Sequence, residues 1–101
     1  MVYMNTYNFR ASELGAKHTF LLVRIISENV DTCRVYSFDL GRHPIDTCSI
    51  LAYLCDNNCE DILDDIVKCE KFYINGSEMK LCNEYPKIVF IHKGIQYRVI
   101  S

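Results

Sequence analysis

Six cysteines, three histidines and a short run of acids are the side chains of this 101-residue chain whose types could do chemistry. Cys33, Cys48, Cys55, Cys59, Cys69 and Cys82 admit four readings: a disulfide framework, a metal site, thiol catalysis, or burial as small hydrophobes. Zinc wants ligand pairs at short spacing, and no CxxC occurs. Cys55 and Cys59 would share a helical face only if one helix ran through Asn57-Asn58, and His18, His43 and His92 lie far apart. Disulfides need an oxidising compartment. The opening Met1-Val2-Tyr3-Met4-Asn5-Thr6 lacks the basic-then-apolar pattern of a secretory signal, so the expected location is the cytoplasm or nucleus. Asn75-Gly76-Ser77 fits a glycosylation sequon, but Asn-Gly is also what a tight hairpin demands.

A reactive thiol needs a depressed pKa, as at a helix start beside a cation. Cys59 has the helix start but is ringed by Asp56, Glu60 and Asp61; Cys48 follows Arg42 and His43. Cys48, Cys55 and Cys59 also fall at apolar positions of two expected helices, which predicts a reduced, largely buried set. No phosphate-binding Gly-rich loop and no calcium-loop spacing is present. Ser37, Asp39 and His43 are not positioned as a triad by any motif, and His43 and His92 read as surface histidines. The expectation is therefore no enzyme, no cofactor and no metal.

The elements that carry these residues follow from periodicity. Residues 1–16 are weakly patterned, with one helical turn at 12–17. His18 to Ser27 is apolar on both faces apart from Arg24, as a central strand is. A turn at 28–31 leads to a strand from Thr32 to Leu40 with Tyr36, Phe38 and Leu40 on one face. Asp46 or Thr47 caps a helix running to about Asp56, with Cys48, Leu51, Ala52 and Cys55 as its apolar positions. Asn57-Asn58 interrupts, and Asn58 is the expected cap of a second helix. In that helix Cys59, Ile62, Leu63 and Ile66 oppose Glu60, Asp61, Asp64, Asp65 and Lys68. Two hairpins follow. The turn at Asn75-Gly76 sets Phe72 against Met79; that at Lys93-Gly94 sets Phe90 against Tyr97 and Ile88 against Val99 on a core face, with Val89 against Arg98 and Ile91 against Gln96 on the other. The expected fold is a single α+β domain over residues 1–101. It has a sheet of four to six largely antiparallel strands, two helices on one face, and a β-grasp-like arrangement as the leading topology.

Charge is uneven around a net −2. Residues 56–70 hold six acids and one Lys, whereas 71–101 hold five basic residues and two acids. The longest apolar run is too short to span a bilayer, so no membrane partner is expected. With no catalytic constellation, the expected function is a non-enzymatic intracellular protein-interaction module. Its contact residues are Val89, Ile91, Gln96 and Arg98 on the half-apolar hairpin face, or Glu60, Asp61, Asp64 and Asp65 on the acidic helix. Homodimerisation through a sheet edge or this face belongs to the same expectation. The alternative is nucleic-acid binding through Lys71, Tyr73, Lys80, Lys87 and Lys93, against which the net charge argues. The third is a thiol- or zinc-dependent factor. Heavy use of Asn, Ile, Asp, Tyr and Lys fits an AT-rich genome, such as that of a large DNA virus encoding accessory proteins.

Overall fold

In a computed structural model, which describes residues 1–10, 17–27, 29, 31–42, 46–83 and 88–100, nine elements follow one another. They are β1 (Val2–Arg10), β2 (Lys17–Ile26), β3 (Cys33–Asp39), α1 (Thr47–Asp56), α2 (Glu60–Cys69), β4 (Lys71–Ile74), β5 (Ser77–Cys82), β6 (Phe90–His92) and β7 (Ile95–Ile100). The expected helical turn at 12–17 lies almost wholly outside the described residues, as do Glu28, Val30, His43 and Lys87.

The strands form one seven-stranded sheet in the order β3-β2-β1-β4-β5-β7-β6. This corrects the expected fold: the sheet has seven strands rather than four to six, it is mixed, and it is not β-grasp-like. The missing strand is β1, which sits in the middle, antiparallel to β2 and parallel to β4. Its inward residues Val2 and Met4 are fully buried, but they alternate with Tyr3, Asn5 and Tyr7. Two buried hydrophobes among polar neighbours make a faint pattern, although Val, Tyr and Thr all suit a strand. The parallel contact is short, Tyr3 with Tyr73 and Met4 with Ile74. Asn75 reinforces it: its N–H donates to the Met4 carbonyl at 2.8 Å, its Oδ1 accepts from the Thr6 N–H at 2.9 Å, and its Nδ2 donates to Thr6 Oγ1 at 2.8 Å.

Both hairpins turn where the sequence places them. Asn75, Gly76, Lys93 and Gly94 all have positive φ, and Phe72–Met79, Phe90–Tyr97 and Ile91–Gln96 pair in the expected register. The second ladder stops at Phe90. There the Val89 N–H donates to the Tyr97 carbonyl at 2.8 Å, so Val89 bulges out of step and does not oppose Arg98 in the ladder. Ile88, expected in the core, is half exposed.

Helix α1 is capped by Asp46, whose Oδ1 accepts from the Ser49 N–H at 2.8 Å. Its buried residues are Ile50, Leu51 and Leu54, so the apolar face is rotated from the expected one; Cys48 and Ala52 are exposed. Asn58 has φ of 56°, a left-handed conformation that ends α1 but cannot cap α2. The cap falls one residue on, at Cys59. From α2, Ile62, Leu63 and Ile66 join Val2, Met4, Leu21, Val23, Ile25, Phe72, Phe90 and Tyr97 in a single core. All six cysteines are free, and none is fully buried: Cys33 and Cys48 are exposed, the others intermediate. The expectation of a largely buried set is thus corrected. No described helix is long and apolar enough to cross a membrane.

Candidate interaction face

Side chains alternate across a sheet, so the registers fix which residues oppose the core. Val2, Met4, Leu21, Val23, Phe72 and Leu81 point to the helices; the intervening positions form the reverse face, which no described helix covers. One row across it runs Val35, Arg24, Tyr3, Tyr73, Glu78. A second runs Asp39, Phe20, Tyr7, and a third Lys71, Lys80, Ile100. Arg98 beside Cys82, and Ile91 beside Gln96, extend the face to the β6 edge.

Tyr3 and Tyr73 stack with ring centroids 5.0 Å apart and planes 14° off parallel, and the Arg24 guanidinium lies 5.6 Å from the Tyr3 centroid. The stack joins the two strands of the short parallel contact and presents a cation beside two rings. Seven large hydrophobics are exposed among the described residues: Tyr7, Ile26, Val35, Ile88, Ile91, Ile95 and Ile100. Five of them, all but Ile88 and Ile95, belong to this face. Val35 at 57% and Ile91 at 56% stand near its opposite ends.

Of the residues expected to touch a partner, Ile91, Gln96 and Arg98 lie on this open face. Val89 packs against the core at the bulge instead. Lys71, Tyr73 and Lys80, expected for nucleic acid, share the same face, whereas Lys93 is turned away to α2. Sequence reasoning missed Tyr3, Tyr7 and Arg24 because it missed β1, the strand that brings them beside Tyr73.

The acidic helix is largely occupied by its own chain. Asp65 pairs with Arg34 of β3. Asp64 Oδ1 accepts from Lys93 Nζ at 2.7 Å and lies 2.8 Å from His92 Nε2, while Glu60 Oε2 lies 3.4 Å from His92 Nδ1. Lys93 and, second, His92 hold the Asp64 carboxyl below its usual pKa, and Asp64 in turn raises that of Lys93. Asp61 is exposed. His92, expected at the surface, has a side chain only 3% exposed. It alternates with Phe90 on the core face, and the acids of α2 supply the polar partners that its burial requires.

Glu60, Asp64 and His92 place potential ligand atoms within 4.8 Å of one another, the one grouping of three metal-capable side chains among the described residues. Their arrangement suits an ion-pair cluster better than a cation site. The two carboxylates address opposite ring nitrogens, whose bonding directions diverge, and Lys93 already sits on Asp64. Nor do the thiols favour nucleophilic chemistry at the α1–α2 junction, because burial raises the pKa of both Cys55 and Cys59. A cleft of about 560 Å³ opens between the end of β2 and the end of α2, lined in part by Ile25, Asp65, Lys68, Cys69 and Lys71. Asp65 is engaged by Arg34 there.

Comparison with protein-family models, with curated proteins and with solved structures finds no match.

Proposed function

We propose that this protein is a non-enzymatic interaction module that docks a protein partner on the open face of its sheet. One observation carries the reading: five of the seven exposed large hydrophobics lie on that face. Scattered exposed hydrophobes are ordinary, but five on one sheet face that no described helix covers support the reading of a contact surface. Its size is suitable. Seven strands at about 4.8 Å spacing and about 20 Å length give on the order of 600 Å², close to the ~800 Å² that each partner contributes to a standard interface. Six free thiols fit a reducing compartment, and the cytoplasm or nucleus is the location we propose with this function.

The test compares wild type, the double variant Val35→Glu/Ile91→Lys and the helix variant Asp61→Lys as baits in one cell extract, with bound proteins quantified by mass spectrometry. The reading requires a protein retained by wild type and Asp61→Lys but lost by the double variant. Retention by the double variant and loss by Asp61→Lys would move the site to the acidic helix.

A second reading has its own observation. Lys71, Tyr73 and Lys80 share the face with Tyr3 and Arg24, an aromatic pair among cations of the kind on which single-stranded nucleic acid stacks. It requires binding to an oligonucleotide that weakens steeply with salt.

A further inference from the structure

The charge on the open face says which kind of partner it takes. Arg24, Lys71, Lys80 and Arg98 all lie there, against two acids, Asp39 and Glu78. Both acids are already engaged. Asp39 lies 3.2 Å from His18 Nδ1 and accepts from the Gly41 N–H at 2.8 Å; Glu78 is 4.0 Å from Lys71 Nζ. The whole chain has 11 Lys and Arg against 13 Asp and Glu. Among the described residues, the charged side chains off this face are five basic and eight acidic. An acidic protein thus carries a net positive charge on a sheet face that no described helix covers. Among the described residues, Arg24 and Lys80 meet no carboxylate. The Nε of Arg98 is itself buried and has no hydrogen-bond acceptor. A buried donor left without a partner is costly, but a closed-off Nε cannot be reached from outside. What Arg98 offers a partner is the charge of its half-buried guanidinium.

We infer that the open face binds an acidic, aliphatic segment of a partner protein, whose carboxylates meet Lys80 and Arg98 while its apolar side chains cover Ile91, Ile100 and Val35. This rests on the proposed docking function and names its partner chemistry. A second copy of the chain is the wrong occupant, because two open faces would set cations against cations. Nucleic acid would leave the isoleucines and Val35 without apolar partners, and four cations, one of them paired with Glu78, make few phosphate contacts.

The experiment selects short random peptides by display against the full chain. The enriched sequences are then titrated by fluorescence anisotropy beside an oligothymidylate. Enriched peptides should combine Asp or Glu with Ile, Leu or Val. Lys80→Glu/Arg98→Glu should weaken them at least about tenfold, the scale expected when two interfacial charges are reversed. Circular dichroism verifies that this variant is folded; Lys80→Gln alone is the milder substitute and should weaken binding less. Basic or uncharged peptides that still depend on Val35 and Ile91 would overturn the acidic partner while leaving the docking face intact. Peptides indifferent to Val35→Glu/Ile91→Lys would overturn the docking face itself. No enrichment, or tighter binding of the oligothymidylate, overturns the inference as well.

Discussion

Phe90 and Ile91 are neighbours on the three-residue edge strand and face opposite ways, so the pair isolates what each face does. Phe90 is 4% exposed and stacks on Tyr97 with centroids 5.2 Å apart, directly across the ladder. Removing that ring in Phe90→Ala deletes a buried aromatic and leaves a cavity, costing about 3–5 kcal/mol. Ile91 is more than half exposed. Fully burying an isoleucine is worth roughly 1.5–3 kcal/mol, so its partial burial contributes about 1 kcal/mol, and the stem of a lysine recovers part of that. Ile91→Lys should therefore cost under about 1 kcal/mol while abolishing partner binding. Urea denaturation followed by circular dichroism measures both variants, with equal slopes required before midpoints are compared. If Ile91→Lys costs as much as Phe90→Ala, the outer face is structural and cannot be the docking surface.

The ion-pair cluster makes its own predictions. His92→Ala should cost about 2–4 kcal/mol, combining a lost buried ring with a lost charge-assisted bond to a half-exposed Asp64, and hydrogen exchange should accelerate first in β6. Asp64 and Asp39 both have folded-state pKa values depressed below their ordinary ones, Asp64 chiefly by Lys93 and Asp39 chiefly by the Gly41 N–H. Their contribution is thus present above the unfolded carboxylate range and is lost as pH falls through the folded values; Asp64→Asn should flatten part of the acid limb of melting temperature against pH. Ellman's reagent should label Cys33 and Cys48 quickly in native protein and Cys55 and Cys59 slowly, since burial raises the latter pair's pKa, with all six reacting after unfolding.

Local chemistry was the legible part of this fold. Asn75-Gly76 and Lys93-Gly94 announce their turns because few residues tolerate positive φ, and a two-residue loop then fixes every cross-strand pair until a bulge intervenes. Val89 is where that arithmetic stops, since an extra residue in a ladder leaves no mark in composition. The stripe of α2 was clear because acids fill its other side, whereas α1 is apolar at most positions and allows several phases; that is why Cys48 and Ala52 seemed to face inward although both are exposed, while Cys55 does pack against the core. His92 was decipherable from the hairpin register, since a core position for Phe90 puts His92 on the same face. The parallel contact of β1 with β4 joins residues about 70 apart, and no local signal marks it. Consequently Ile91, Gln96, Arg98, Lys71, Tyr73 and Lys80 could be nominated one hairpin at a time, but their union with Tyr3, Arg24 and Val35 on one surface could not.

The claim that this surface is where the protein works is tested most directly by mapping amide chemical shifts while a selected acidic peptide is added to the labelled chain. Perturbations should concentrate at Arg24, Val35, Tyr73, Lys80, Ile91 and Arg98, and spare Asp61 and the outer turns of α2. Shifts confined to α2 and the Glu60–Asp64–His92 cluster, with the sheet unmoved, would contradict it.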